Sequence, residues 1–295
     1  MTNSKKKIVL ITGSSSGIGK TTVELLSKNN LQVIATMRKI NGENSEIANE
    51  LKELNENITI EDLDVTCPAS IKNVVNNIIE KFKKIDVVIN NAGIMNVGLA
   101  EGFTVKQIEK QMDVNYIGVA RLFREILPFM KQRKDGLFIT ISSIAGRIIF
   151  PFLSTYNPSK FAVEALAEIY RYELSPFNID SVIIEPGPFS TQLIDNSPRP
   201  EDLERLKYYG DLAHAPEQTM QYFKQIMKDN PDCNPKLVSE VILNLIKTEY
   251  GSRPLRTTCG DDYGVKEINS VIEKYQLKVL NKMGLDNLIP RKKKN

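Results

Sequence analysis

Five residues in a row, Tyr156-Asn157-Pro158-Ser159-Lys160, contain the groups best suited to chemistry, and Ser143 precedes them. Residues four apart lie on one face of a helix, so Tyr156 and Lys160 can sit side by side. A cation beside a phenol lowers its pKa from a reference of about 10 towards the range a proton donor or acceptor needs. Ser143 could donate to the same reacting oxygen. On its own the pair is weak evidence, because a Tyr and a Lys at this spacing are common on exposed helices.

The flanking pattern supplies elements able to position these groups. Leu137-Phe-Ile-Thr-Ile141 reads as a buried strand, and Phe161 to Leu174 has apolar residues at helical spacing. Pro158 fits that helix only in its first turn, where its missing N–H is not needed. Tyr156 is thereby placed at the helix entrance.

A second device stands at the other end of the chain. Lys7 to Thr12 is a strand-like run, Thr12-Gly-Ser-Ser-Ser-Gly-Ile-Gly19 follows directly, and Lys20 to Lys28 reads as a helix. Strand, glycine turn and helix N-terminus together make a site for a pyrophosphate, with free N–H groups and the helix dipole facing the anion. The spacing T-G-x-x-x-G-x-G differs from the commoner G-x-G-x-x-G. Leu31 to Thr36 is the second strand, and Met37-Arg38-Lys39 follows it. A dinucleotide fold that takes NAD has an acid near this point to hold the ribose hydroxyls. Two cations stand here instead, which suits a 2′-phosphate and favours NADP(H) over NAD(H). The alternative is a solvated Arg-Lys pair.

Further along, the spacing predicts a helix over Glu43–Asn55, a third strand over Ile58–Val65, a helix over Pro68–Phe82 and a fourth strand over Ile85–Asn90. Asp64 and Val65 could receive an adenine, although an Asp at a strand end is also a common turn residue. Thr104–Val114 and Asn115–Gln132 read as two helices, with Pro128 marking a bend or an early end of the second. Asn178–Ile184 is the sixth strand, and it leads to Glu185-Pro186-Gly187 and on to Thr191. From about Pro188 to Pro235 prolines, acids and large apolar residues mix. This stretch reads as a mobile substrate cover whose apolar inner side would meet Ile148, Ile149, Phe150 and Phe152. A helix over Lys236–Thr248, a short strand over Pro254–Cys259 and a helix over Val265–Lys282 close the pattern. Strands alternating with helices predict an α/β, doubly wound parallel sheet with ligands at the carboxyl ends of its strands.

Composition bounds the rest. The 295 residues are 41% hydrophobic and 25% charged, as expected of a globular chain with a sizeable core. The net charge of +3 comes partly from Lys5–Lys7 and Arg291–Lys294, which read as solvated ends. No nucleic-acid surface is indicated. Cys67, Cys233 and Cys259 form neither a disulfide framework nor a metal-ligand spacing, so a cytoplasmic location is expected. His214 is the single histidine, which argues against a Ser-His-Asp triad or a multi-histidine metal centre. No apolar run approaches a membrane span.

Taken together, the glycine-rich turn, Asp64, Asn90-Asn91-Ala92-Gly93, Asn115, Ser143, Tyr156 and Lys160 resemble the short-chain dehydrogenase/reductase family, in its order and at its spacings. The resemblance is strong over about residues 7–195. It implies a Rossmann fold with a seven-stranded sheet and helices on both faces, in one domain over 1–295. Within it lie the cover at about 188–235 and a C-terminal extension at about 260–295. It also implies roles. Gly13, Ser15, Gly17, Ile18 and Gly19 would hold the cofactor diphosphate, Arg38 the 2′-phosphate, and Asp64 with Val65 the adenine. Asn91, with Ala92 and Gly93, would lie against the cofactor. Asn115 would kink its helix and position a water leading to Lys160. Ser143 matches the family serine because it lies thirteen residues before Tyr156. Lys160 would also hold the nicotinamide ribose, and Pro186, Gly187 and Thr191 would hold the carboxamide. The reaction implied is hydride transfer between a hydrophobic ketone or aldehyde and its alcohol, with Tyr156 as general acid/base. A homodimer or homotetramer is implied too, and Arg253–Thr258 is similar to the 17β-hydroxysteroid dehydrogenase type one-like branch. The alternative is a catalytically silent relative that senses NADP(H) or acts as a scaffold.

Overall fold

Alternation in the strands decides the architecture. The computed structural model describes residues 6–228 and 230–291, so Lys5 and residues 292–294 of the terminal lysine runs lie outside the described residues. In chain order β1 (Lys7–Thr12), α1 (Gly17–Ser27), β2 (Leu31–Met37), α2 (Ser45–Leu54), β3 (Ile58–Asp62), α3 (Pro68–Phe82) and β4 (Val87–Asn90) build the first half. Then come α4 (Val105–Met112), α5 (Gly118–Arg133), β5 (Gly136–Ile141), α6 (Tyr156–Glu173) and β6 (Ile179–Pro186). The last part holds α7 (Leu203–Leu206), α8 (Ala215–Met227), α9 (Lys236–Lys247), β7 (Arg256–Cys259) and α10 (Val265–Lys282).

The seven strands pair in the order β3-β2-β1-β4-β5-β6-β7, all parallel. Strand residues i and i+2 share a face. Val9, Ile11, Val33 and Ile89 therefore meet α1, α2 and α9 on one side, through Val23, Leu26, Leu51 and Ile242. Ile8, Leu10, Ile34 and Val88 meet α3, α5 and α6 on the other, through Ile71, Val75, Phe123 and Val163. Both faces are covered, which is why these strands are apolar throughout. The order reverses between β1 and β4, and the carboxyl ends part there to leave a crevice.

Among the departures from the sequence expectation, three stand out. The third strand ends at Asp62, not Val65, and Asp64 lies in the turn beyond it, its carboxylate taking the Thr66 amide and hydroxyl at 2.8 and 2.7 Å. The two helices expected to part at Asn115 are joined by a π-helical turn, Asp113–Ile117. Pro128 does not end α5, which runs on to Arg133. An interior proline costs a helix about 3 kcal/mol. Each buried large side chain returns roughly 1.5–3 kcal/mol, and α5 buries Leu122, Phe123, Ile126, Leu127 and Met130. Phe123 also stacks on Phe138 and Tyr170, with ring centroids 4.0 and 4.1 Å away. Packing therefore outweighs the proline. Among the described residues no helix is long and apolar enough to cross a membrane.

One ionic cluster fastens the sheet to its last strand. Asp180 of β6 is fully buried and pairs with Arg171 of α6 and with Arg253, whose Nη1 lies 3.0 Å from Oδ2. Arg171 Nη2 also donates to the Arg253 carbonyl at 2.7 Å, and Arg253 Nε to that of Leu245 at 2.7 Å. Removing the carboxylate leaves two guanidinium groups buried without their counter-ion. Asp180→Ala is expected to lose about 3–5 kcal/mol of stability, read as a lower midpoint in urea unfolding; an unchanged midpoint would show that the pairing contributes nothing.

Candidate active site

The glycine turn after β1 is shaped by close approach. A Cβ on Gly19 would lie 2.0 Å from the Gly13 carbonyl oxygen, so only glycine lets α1 begin this near to the strand end. Asn91, just after β4, reaches across and donates through Nδ2 to the carbonyls of Thr12 and Gly13, both at 2.9 Å. In return the Thr12 hydroxyl accepts from the amides of Asn91 and Ala92 at 3.1 and 3.0 Å. These four bonds lock the ends of β1 and β4 on either side of the crevice.

A cavity of about 570 Å³ follows that crevice. Its wall holds every residue the sequence assigns to a cofactor: Gly13, Ser15, Gly17, Ile18 and Gly19 at the turn, and Arg38, Asp64 and Val65 towards one end. Asn91, Ala92 and Gly93 line its floor, and Tyr156, Lys160, Pro186, Gly187 and Thr191 complete the wall. Arg38 lines this cavity, while Lys39 turns away to pair with Glu43 at 2.6 Å. The carbonyl of Arg38 is held by Asn44 Nδ2 at 2.7 Å. Partial burial works to raise the Asp64 carboxyl, but the Thr66 hydroxyl and amide, with Arg38 and Arg121, outweigh it and hold the group below the usual range. A turn of free amides beside a helix N-terminus, with a cation at the far end, fits a phosphorylated dinucleotide.

The candidate catalytic groups come from two elements. Ser143 lies just beyond β5, and its Oγ accepts from the Ala145 amide at 3.1 Å, which leaves its own proton free to donate. Tyr156 and Lys160 start α6, with Pro158 in the first turn as expected. Lys160 Nζ donates to the Ile141 carbonyl at 2.8 Å and stands 5.6 Å from the centroid of the Tyr156 ring. The sequence argument that Lys160 would pull the phenol down is not what the structure shows. Burial pushes Tyr156 up to about 12, and a hydrogen bond from Ser143 only partly opposes it. Burial likewise brings Lys160 down to about 8, with Glu164 working the other way. Desolvation is the larger influence on both groups.

Asn115 does not line the cavity. From the π-helical turn its Oδ1 accepts from the Ile94 amide at 2.9 Å, while Nδ2 donates to the Ile94 carbonyl at 2.9 Å and to Ser159 Oγ at 3.0 Å. It ties the segment after β4 to the start of α6. Sequence reasoning gave no role to Thr12, Asn44, Asn157 or Ser159. Asn157 Nδ2 fastens α6 to the Ser143 loop by donating to the carbonyls of Ala145 and Ile148 at 2.7 and 2.8 Å. Its place between Tyr156 and Lys160 was the available signal; for Thr12 it was the polar residue closing an apolar strand.

A second cavity, of about 380 Å³, opens from the first. Ser143, Tyr156, Gly187 and Thr191 line both, and beyond them its wall is almost wholly apolar, with Phe150, Leu153, Leu193, Met220 and Phe223. The segment expected as a cover supplies much of this wall through α8 and the stretch before α7.

Comparison with known proteins agrees with this geometry. A family model described as short chain dehydrogenase matches residues 7–202. The chain is 33% identical over 255 residues to the 3-ketodihydrosphingosine reductase of Bacteroides thetaiotaomicron, covering 86% of this chain and 88% of that one. It is 32% identical over 251 residues to retinol dehydrogenase 8 of Bos taurus, covering 81% and 78%. Among solved structures it resembles a short-chain dehydrogenase from Streptomyces avermitilis, with a TM-score of 0.77, 28% identity and coverage of 96% and 98%. It also resembles ElxO with NADP bound, with a TM-score of 0.69, 25% identity and coverage of 86% and 97%. With its sheet order, its crevice and the Ser143, Tyr156 and Lys160 cluster at the mouth of that crevice, the chain belongs to the short-chain dehydrogenase/reductase family of oxidoreductases.

Proposed function

We propose that this enzyme interconverts a neutral, hydrophobic ketone or aldehyde and its alcohol, using NADP(H) in preference to NAD(H). The observation that carries the reading is the junction of the two cavities. One is of mixed polarity, with the glycine turn, Arg38 and Asp64 in its wall, the other is almost wholly apolar, and Ser143 and Tyr156 line both. When bound, a nicotinamide cofactor supplies or takes the hydride. The chain's own residues handle the proton and the oxygen. In the reducing direction Tyr156 gives its hydroxyl proton to the substrate oxygen as charge develops there, and a phenol kept neutral by burial is the form a donor needs. Ser143, with its Oγ already accepting from Ala145, donates to the same oxygen. Lys160, fixed on the Ile141 carbonyl, supplies positive charge beside the tyrosine as its proton leaves.

Substrate class follows from the apolar cavity. Among the described residues that line it none is acidic or basic; its polar groups are hydroxyls, those of Ser143, Tyr156, Thr191, Thr219 and Tyr263. A carboxylate or phosphate would enter without a counter-ion, at a cost that an aliphatic or ring hydrocarbon avoids. The names of two relatives, a ketodihydrosphingosine reductase and a retinol dehydrogenase, are consistent with long apolar substrates, as is the resemblance to the 17β-hydroxysteroid dehydrogenase type one-like branch. Residues 188–235 are the cover in this reading, part of one domain spanning the chain. Exposed apolar residues on α4 and around α6, Val105, Ile108, Phe161 and Ile169, favour a homo-oligomer. The three free cysteines suit a reducing compartment, the cytoplasm.

Cofactor choice rests on Arg38, since no acid from β2 or the residues just after it lines the cavity, and Asp64, the acid near Arg38, comes from beyond β3 and is taken up by Thr66. Arg38→Ala is expected to weaken NADPH binding about 10- to 100-fold, the worth of a charge-assisted bond, and to leave NADH affinity unchanged, as measured by calorimetric titration. Equal loss for both cofactors would make Arg38 a general contact and remove the preference. Tyr156→Phe is expected to lower turnover of a hydrophobic ketone about 10²- to 10⁴-fold with NADPH still bound. Full activity in that variant would overturn the acid/base assignment, whereas wild-type protein that binds NADPH yet turns over no carbonyl or alcohol would identify a silent sensor.

A further inference from the structure

Behind the reacting pair lies a cluster of buried charge that the proposed chemistry does not use. Glu164, one helical turn beyond Lys160 on α6, is 2% exposed, and Glu185 at the end of β6 is fully buried. Arg256, the first residue of β7, joins them: its Nε lies 2.8 Å from Glu164 Oε2 and 3.4 Å from Glu185 Oε1, and its Nη2 is 2.6 Å from Glu168 Oε2. Arg147, from the Ser143 loop, reaches Glu185 Oε1 at 3.9 Å and donates to Asn269 of α10 at 2.8 Å, while Asn269 donates to Glu185 Oε2 at 2.5 Å. The loop closes tightly over Glu164. A Cβ on Gly146 would be 2.9 Å from both Glu164 Cγ and Ser142 Oγ, and 3.2 Å from the Lys160 carbonyl.

Glu164 and Glu185 are both buried and share the Arg256 guanidinium, so ionising both would set two like charges side by side out of water. Burial of that kind is relieved by keeping one proton. Geometry says which acid keeps it. Glu164 has the shorter bond to Arg256, and Glu185 Oε1 has only the longer approaches. Burial, reinforced by the neighbouring Glu164, pushes Glu185 up to about 8, and Arg256 opposes this. Burial raises Glu164 as well, but Arg256, the Ser142 hydroxyl and Arg147 oppose it, and it is Glu164 that adds to the rise at Glu185, so Glu164 is the anion of the pair and Glu185 the acid.

The charged groups of this cluster come from α6 and from the elements packed around it, and among them Glu164 acts on the charge of Lys160. On its own helix stand Tyr156, neutral, and Glu164; from the Ser143 loop comes Arg147; β6 and β7 bring Glu185 and Arg256; α10 brings only the neutral Asn269. Lys160 makes its one hydrogen bond to a neutral carbonyl. We propose that Glu164 is a positioning residue for the reacting pair: held on Arg256 one helical turn away, its carboxylate keeps the buried Lys160 amine in the ammonium form that supports Tyr156. The bearing on turnover rests on the hydride-transfer reading above, but the charge on Lys160 can be measured without it.

The sign follows directly. A carboxylate near an amine favours its charged form, so removing the carboxylate lowers the lysine's pKa from about 8 and the ammonium is lost as pH rises through a lower midpoint. In wild-type, Glu164→Gln and Glu185→Gln proteins, the Lys160 Nζ and Cε resonances, assigned with Lys160→Arg, would be followed by NMR from pH 6 to 10. Glu164→Gln is expected to lower the midpoint by about 1 unit or more, and Glu185→Gln, which only replaces a protonated acid, to leave it in place. Should Glu164→Gln not fold, Glu164→Met, which keeps the length of the side chain and removes the charge, gives the same reading and the midpoint falls. An unchanged midpoint in Glu164→Gln, or equal falls in both glutamine variants, would overturn the assignment. NADPH titration and turnover of the same samples test the functional reading separately: absent turnover with a shifted midpoint sinks that reading alone.

Discussion

Everything in this site depends on how the ends of β1 and β4 are held across the crevice. Asn91 reaches two carbonyls of the glycine turn, and Thr12 takes two amides from the segment after β4. A parallel sheet whose order reverses at this point has no strand-to-strand hydrogen bonds beyond the strand ends to keep the crevice in shape. The side chains of Thr12 and Asn91 supply them. With those ends fixed, the glycine turn and the strand that leads to Ser143 stand in one frame, since β4 pairs directly with β5.

The second constraint is burial. Tyr156 and Lys160 are largely out of water, and that alone drives both towards their neutral forms. A neutral phenol suits proton donation, while a neutral amine would not support the phenolate that follows. The chain answers with charge placed behind the pair. Arg256 secures Glu164, and Glu164 opposes the desolvation of Lys160. Arg256 comes from β7 and Asn269 from α10, so the last strand and the C-terminal helix, remote in sequence from Tyr156, contribute to its surroundings. Low local dielectric makes such contacts strong when complete and costly when broken.

Much of this was legible in the sequence where local rules apply. Strand, glycine turn and helix announced themselves by period and by residue type, and Tyr156 and Lys160 by a spacing that a helix converts into adjacency. The less legible parts are tertiary. Arg253 and Arg256 look like ordinary surface cations, and Asp180 and Glu185 like breaks in an apolar strand, because each is explained only by partners brought from other elements. Pro128 reads as a helix stop until the packing of Phe123 and its neighbours is counted. The phenol's direction of shift is not legible for the same reason: spacing places a cation nearby, but only the fold says how much water is lost.

The central claim is that hydride passes between a dinucleotide in the cavity of the glycine turn and a carbonyl in the apolar one, at the junction marked by Ser143 and Tyr156. Its most direct test is isotope transfer. The enzyme would be incubated with NADPH deuterated on the transferring face of nicotinamide C4 and with a series of long-chain and ring ketones, and the products weighed by mass spectrometry. The account predicts alcohols carrying one deuterium at the carbinol carbon, formed faster as the apolar part of the ketone grows to fill the cavity. Bound cofactor with no labelled alcohol from any ketone or aldehyde, with either face deuterated, would contradict it.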